Sequence, residues 1–370
     1  MSALLDAPGD APIGWADDGS YRFALPDELA ATAPPETRGV ARDAVRLLVA
    51  AADAPLRHAR VRDLPALLAP GDLLVVNTSA VLPASLPARR DDGRGLLLHL
   101  STPLPGGDEQ RDWAVEPRRP HGAASRRLDD ARRGERIDLP GGGQAVLLTG
   151  YPDAAAERSR LWRARLSLPG PLLAYLHAHG RPIRYGAADD DWPLEAYQTV
   201  FANVPGSAES PSAGRPFSTR LVTALVAAGV RLAPLVLHTG VSSGEDDEPP
   251  YPERYVVPAA TAGAVNDTRR RGGRVVAVGT TVTRALETVA DEHGVVRPGR
   301  GWTDVVVSPQ RGVRAIDGLL TGWHEPRASH LRLLEAVAGR DLLDRSYRAA
   351  LAEGYRWHEF GDLHLVLRRR

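Results

Sequence analysis

The stretch Arg274-Val-Val-Ala-Val278-Gly279-Thr280-Thr281-Val-Thr-Arg284-Ala-Leu-Glu287 decides the fold. Its short apolar run, Val275 to Val278, reads as a buried strand. Gly279 follows at once, and a helix follows the glycine. A glycine at a strand-to-helix turn lets the backbone come close to a ligand. The next amides lie at a helix N-terminus, where they point outward unsatisfied and favour negative charge. Arg284 and Glu287 are three residues apart and share a face of that helix. The plain alternative is a helix start capped by threonine, with Arg284 and Glu287 paired on the surface.

The same alternation extends outward. Arg231 to His238 reads as a strand, Ala259 to Arg271 as a helix stopped by Gly272-Gly273, and Val305 to Val307 as a further strand. Thr219 to Ala228 reads as a helix ended by Gly229. Nearer the N-terminus, Leu64 to Leu68 is helix-like, and Asp72 to Val76 is a buried strand after Pro70-Gly71. Such alternation predicts an α/β fold: a mixed or largely parallel sheet with flanking helices. Ligands in such sheets sit beyond the carboxyl ends of the strands, and His238 and Gly279 both fall there. Between about 83 and 170 the texture changes. Short apolar runs such as Leu161-Trp-Arg-Ala-Arg-Leu166 alternate with period two and are broken by glycine, proline and charge. That predicts a small all-β unit, a sandwich or barrel. The expected organisation is a loose leader over 1–20, an α/β domain from 21–82 and 171–370, and an inserted β unit over 83–170. Glu245 to Glu248 is expected in an exposed loop.

At 370 residues the chain is too long for one ordinary core, which agrees with two domains. It has no cysteine and no lysine, which excludes disulfides, Cys-ligated metal and Schiff-base chemistry. Its formal net charge is zero, so no global positive field marks a nucleic-acid binder. Local arginine groups remain as candidate patches: Arg118-Arg119, Arg126-Arg127, Arg132-Arg133 and Arg269-Arg270-Arg271. Solvated arginine faces explain each of them equally well. No signal peptide and no membrane-length apolar run is present, so a cytoplasmic protein is expected.

Further motifs stand in a particular order. They are Phe23-Ala-Leu-Pro26, Arg46-Leu-Leu-Val49, Gly71-Asp-Leu-Leu-Val-Val-Asn77, Tyr197-Gln-Thr-Val-Phe-Ala202 and Pro211-Ser-Ala-Gly-Arg-Pro-Phe217. Leu237-His238-Thr-Gly240, Thr303-Asp304, Asp317-Gly-Leu-Leu-Thr321, His324-Glu-Pro-Arg-Ala-Ser329, Glu353-Gly-Tyr355 and Phe360-Gly-Asp362 complete the series. Over nearly the whole chain this order resembles the S-adenosylmethionine:tRNA ribosyltransferase-isomerase family of queuosine biosynthesis. The resemblance implies a β-barrel inserted into an α/β domain. It implies S-adenosylmethionine as a co-substrate that donates its ribosyl group, with no metal. It further implies tRNA as partner, no obligate protein partner and no membrane. The acceptor would be 7-aminomethyl-7-deazaguanine in tRNA and the product epoxyqueuosine, with adenine and methionine released.

That chemistry needs a base for the acidic C–H beside the sulfonium and a donor for departing adenine. His324, in a loop after Thr321, suits proton transfer. His238, Asp317 and Glu253 are the other catalytic candidates. For His238 a structural role weighs more, and for Asp317 an N-cap role stands beside the ligand one. Tyr197 offers a ring for stacking and Gln198 an amide for base edges; packing between domains explains Tyr197 equally well. Thr199, Gly214, Gly279, Thr280, Thr281, Arg284 and Thr321 complete the expected substrate site.

The chain also departs from the family pattern. Thr78 and Ala80 stand where the family has an acid and an arginine, Pro216 where it has a histidine, and Tyr251 where it has another. Replacing histidine by proline removes a titrating group and a backbone donor together. Two further readings therefore stay open: the S-adenosylmethionine pocket with a small-molecule or other acceptor, and a ligand- or nucleic-acid-binding homologue without turnover.

Overall fold

A computed structural model describes residues 13–369 apart from 122–123, 157–158, 185–191, 242–249 and 327. The α/β part is built on a nine-stranded sheet. Its order is Gly299–Thr303, Glu253–Val257, Arg231–His238, Leu73–Asn77, Val275–Val278, Gly318–Gly322, Leu363–Leu367, Arg46–Ala51 and Arg57–Arg60. The middle strands 231–238, 73–77, 275–278 and 318–322 are mutually parallel, and antiparallel pairings flank them, so the sheet is mixed.

The period of two sends alternate residues of one strand into different cores. Leu73 and Val75 face the helices Ala259–Arg270 and Thr280–Val289, whereas Leu74 and Val76 face Thr219–Ala227. All four side chains are buried, and each contributes about 1.5–3 kcal/mol of burial. A strand covered on both faces has to read as a continuous apolar run, as this one does.

The strands from Ser85 to Ser167 form a separate sheet. Asp112–His121 pairs with both Leu161–Ser167 and Gly95–Pro103, which closes a six-strand barrel, and Ala124–Arg127 hangs from its edge. The barrel core includes Leu86, Leu98, Val115, Leu147 and Leu166.

Two expectations fail here. Val305–Val307 is not a strand, and the edge strand is Gly299–Thr303, paired to Glu253–Val257. Its glycines fit it closely under Val289 and Tyr255: a Cβ at Gly299 would lie 3.0 Å from Val289 Cγ1. Residues 13–20, read as part of a loose leader, are ordered by pairing Gly14–Trp15 with Tyr21–Arg22, and Trp15 packs edge-on against Tyr21 at 5.0 Å. The acidic run Glu245 to Glu248 lies outside the described residues. No helix among the described residues is long and apolar enough to cross a membrane.

Candidate active site

The four parallel strands end together at one edge, in the order His238, Asn77, Val278 and Gly322. Asn77 joins two of these ends. Its Nδ2 donates to the Leu237 carbonyl at 2.8 Å, and its Oδ1 accepts from Leu237 N at 3.0 Å and from Ser79 N at 3.0 Å. Ser79 opens the short strand Ser79–Val81, which runs parallel to Val204–Ser207.

That arrangement produces a buried hydroxyl chain. Thr239 N–H donates to Ser207 Oγ at 3.0 Å, Ser207 Oγ meets Ser79 Oγ at 2.6 Å, and Ser79 Oγ meets His238 Nδ1 at 2.7 Å. Each hydroxyl has one proton to give. Ser207 has no other acceptor among the described residues, so its proton goes to Ser79, and that of Ser79 goes to His238 Nδ1. A ring whose Nδ1 accepts carries its proton on Nε2. Burial, with the positive field of Arg254, pushes the His238 pKa down to about 4. The ring therefore holds an Nε2–H donor at neutral pH. Gly206 lies flat against it: a Cβ there would come within 2.4 Å of His238 Nδ1.

Gly279 ends the 275–278 strand with φ 96°, a left-handed conformation that glycine takes without strain. The helix Thr280–Val289 begins immediately, and no side chain caps it. Gly279, at the N-cap, has no side chain to accept from the first helical amides. Thr281 Oγ1 accepts a long bond from Asn77 Nδ2 at 3.4 Å, which ties this turn to the neighbouring strand end. A Cβ on Gly279 would sit 3.4 Å from both Ala213 Cβ and Thr281 Oγ1.

Thr321 and His324 form the third part. Thr321 Oγ1 meets His324 Nε2 at 3.0 Å, and the imidazole stacks on His330 at 4.7 Å with planes 8° apart. His324 N–H donates to the Tyr347 hydroxyl at 3.4 Å, and its carbonyl accepts from the Trp357 indole at 3.0 Å. Beneath it, Trp323 packs on Tyr347 at 5.0 Å, on Trp357 at 5.4 Å and flat on His364 at 4.7 Å. Burial first, then the fields of His330, His364 and His358, hold the His324 pKa well below 6.5. It is therefore neutral at neutral pH. Three strand spacings separate His238 from this pair, ~14 Å at ~4.8 Å each, with Gly279 between them.

Other expected site residues are used by the protein itself. Tyr197 is buried against Phe360 at 5.3 Å, so its ring serves packing and not a ligand. Gln198 spends its amide on Val81: Nε2 donates to the carbonyl and Oε1 accepts from the N–H, both at 2.9 Å. Thr199 Oγ1 accepts from Phe201 N at 3.2 Å, and a Cβ on Gly214 would lie 3.3 Å from Thr199 Cγ2. Arg284 pairs with Glu253 and also donates to the carbonyls of Val305, Tyr251 and Thr303. Glu253 in turn accepts from Gly240 N at 3.3 Å. This pair ties the edge strand Glu253–Val257 to the helix Thr280–Val289. Asp317 lies at the opposite end of the strands. Its Oδ2 accepts from Val275 N at 2.9 Å, so it caps a strand start and no helix, far from the carboxyl edge. Ser79, Ser207 and His330 were not singled out from the sequence. Serines on short strands and a histidine opening a helix carry no local signal; only the folded contacts mark them.

The chain is 38% identical to the S-adenosylmethionine:tRNA ribosyltransferase-isomerase of Symbiobacterium thermophilum, over 94% of this chain and 98% of that one. It is 39% identical to the enzyme of that name from Acidithiobacillus ferrooxidans, over 94% of this chain and 96% of the relative. A family profile described as queuosine biosynthesis protein matches residues 19–366. The chain belongs to the queuosine biosynthesis protein family. A crystal structure of S-adenosylmethionine tRNA ribosyltransferase from Thermotoga maritima covers 94% of this chain and 99% of its own, with TM-score 0.50 and 30% identity.

The positions read from the sequence as departures from the family pattern are all engaged within the fold. Thr78 Oγ1 donates to Leu235 O at 3.0 Å, and the backbone of Ala80 pairs with Pro205. Pro216 is buried beside Arg215, whose guanidinium bonds Ala196 O at 2.7 Å and Glu36 at 3.0 Å and covers the Phe360 ring at 4.8 Å. Tyr251 packs on Tyr151 at 6.1 Å.

Next to Phe360, Glu359 sits in a like-charge setting. Burial and the nearby Glu209 push its pKa up to about 8, against the opposing pull of Arg215. The folded state thus keeps a proton that the unfolded chain loses near 4.5. This contribution is fully present below 4.5 and is lost as pH rises through about 8. Glu359→Gln is therefore expected to melt roughly 1–2 °C above the unaltered protein at pH 9, an effect of about 1 kcal/mol, and no higher at pH 4. Thermal unfolding across that range checks it; an equal gain at both pH values contradicts the assignment.

Proposed function

We propose that this protein is a cytoplasmic S-adenosylmethionine:tRNA ribosyltransferase-isomerase. It transfers and isomerises the ribosyl moiety of S-adenosylmethionine onto 7-aminomethyl-7-deazaguanine in tRNA, giving epoxyqueuosine and releasing adenine and methionine. The observation that carries this reading is the match to enzymes of that name along 94% of the chain. The groups gathered at the strand ends support it, because their donor set fits the co-substrate. S-adenosylmethionine, when bound, supplies the ribosyl group and the acidic C–H beside its sulfonium.

The chain's own residues divide the work by position. The uncapped amides after Gly279 hold a carboxylate, as a helix N-terminus does. His238, fixed by the Ser79–Ser207 chain, donates its Nε2–H to the departing adenine. A neutral donor suits this task, since it stabilises developing negative charge without adding positive charge beside a sulfonium. His324, neutral and backed by Thr321 and His330, takes a proton. The Glu253–Arg284 pair holds the edge strand Glu253–Val257 against the helix Thr280–Val289.

The pH dependence follows from these roles. Both imidazoles work in the neutral form, and both are held below the ordinary histidine value. The kcat profile is expected to show no step near 6.5. A step near 6.5 would contradict the assigned protonation states.

The reading is tested by incubating the purified protein with S-adenosylmethionine and tRNA bearing the acceptor base, then separating the small products by chromatography. Adenine and methionine are expected. S-adenosylhomocysteine would show methyl transfer and defeat it.

A further inference from the structure

The barrel carries an arginine pair with no ion-pair partner among the described residues. Asp112–His121 and Ala124–Arg127 form an antiparallel ribbon, in which Arg119 lies directly opposite Arg126 and Arg118 directly opposite Arg127. Like charges set opposite one another on a sheet are destabilising. The fold relieves one of the two pairs. Arg118 pairs with the buried Glu116 and donates to Ser125 Oγ at 2.7 Å, and Arg127 lies 3.3 Å from Asp129. The other pair is left as it is. Arg119 and Arg126 are exposed, and neither has a carboxylate at ion-pair distance among the described residues. Asp130 feels the field of Arg119, but its oxygens bind Arg90 at 2.8 Å and Arg94 at 3.5 Å. Arg132 and Arg133 follow in the next turn, also exposed and without an ion pair among the described residues.

Several arginines elsewhere are matched to acids, among them Arg94 to Asp92, Arg165 to Asp112 and Arg348 to Asp344, whereas others such as Arg57, Arg89 and Arg220 stand exposed and singly. What sets Arg119 and Arg126 apart is that they are direct cross-strand neighbours, so two like charges are held side by side. Two guanidinium forks facing outward side by side fit phosphate oxygens.

The position also fits. The barrel meets the chain just beyond a strand end where Val241 N–H donates to Ser101 Oγ at 3.0 Å, three residues beyond His238. The adjacent Leu100 is level with Val115. From Val115 to Arg119 is four residues, ~13 Å of strand. That is on the order of four nucleotide steps at ~3.4 Å of rise each.

We infer that the Arg119–Arg126 pair on the barrel's edge ribbon is a docking point for the tRNA backbone, gripping phosphates on the order of four nucleotides from the one that reacts. This deepens the tRNA-modifying reading and rests on it.

The test uses the full chain and tRNA carrying the acceptor base. Binding is measured at several salt concentrations for the unaltered protein, R119Q/R126Q, R119K/R126K and the control R165Q. The glutamine pair is expected to weaken tRNA binding about tenfold or more near physiological salt. It should reduce the steepness of log K against log salt by roughly 1.4–1.8, two phosphate contacts at about 0.7–0.9 each. R165Q and the lysine pair should keep the original slope, and calorimetry should give unchanged S-adenosylmethionine affinity for all four proteins. An unchanged slope in R119Q/R126Q overturns the docking point, as does an equal loss in the lysine pair, which would mark a structural role. Absence of salt-sensitive tRNA binding by the unaltered protein is a different failure, that of the tRNA-modifying reading itself.

Discussion

His238→Ala is expected to lose about 10²–10⁴-fold in kcat while its affinity for S-adenosylmethionine changes little. The donor acts where charge develops on the leaving base, so its removal raises the barrier more than it weakens ground-state binding. The hydroxyl chain makes a second part of this expectation. Ser79→Ala removes the proton donor to Nδ1 and frees the ring to turn or to take the other tautomer. Its loss should be smaller than that of His238→Ala and should likewise fall on kcat. Single-turnover adenine release, with calorimetry for binding, separates the two effects. A His238→Ala enzyme with near-normal kcat would remove the residue from the chemistry and leave it a packing role against Gly206.

Glu287→Ala is expected to cost about 3–5 kcal/mol of stability, the penalty for breaking a buried charged network. Glu287 is 1% exposed and fully engaged. Its Oε1 accepts from Arg314 N at 2.7 Å and Ala315 N at 2.8 Å, and its Oε2 pairs with Arg311 at 2.6 Å. Removing the carboxylate leaves two backbone donors and a guanidinium without their acceptor. The loop 311–315 that it holds leads directly into the strand Gly318–Gly322, whose far end carries Thr321. Urea unfolding gives the number; a loss below about 1 kcal/mol would mean that water replaces the carboxylate easily.

Glu287 also shows what the sequence does and does not disclose. Its spacing from Arg284 suggests a surface pair, because i, i+3 neighbours on a helix usually meet in solvent. The two residues instead turn to different partners, Arg284 to Glu253 and Glu287 to Arg311, both brought in by distant segments. The same limit applies to Asp317. A carboxylate before a glycine reads as a helix cap, and only strand pairing shows that it caps Val275 at the wrong end of the sheet for chemistry. Gln198 likewise looks free until Val81 takes both ends of its amide. Legible in advance were the features set by local periodicity and turn chemistry. These were the strand–Gly279–helix turn, the strand ending at His238, the helix stopped near Gly272 and the alternating strands of the barrel. The edge strand Gly299–Thr303 was hidden because its glycines imitate a loop, and they are there to fit beneath Val289 and Tyr255.

The most direct measurement is nucleoside analysis by mass after incubation with S-adenosylmethionine and three acceptors: tRNA carrying 7-aminomethyl-7-deazaguanine, unmodified tRNA, and the free base. The ribosyltransferase-isomerase account predicts epoxyqueuosine in the modified tRNA alone, with one adenine and one methionine released per product. Adenine release with the free base and none with modified tRNA would contradict it.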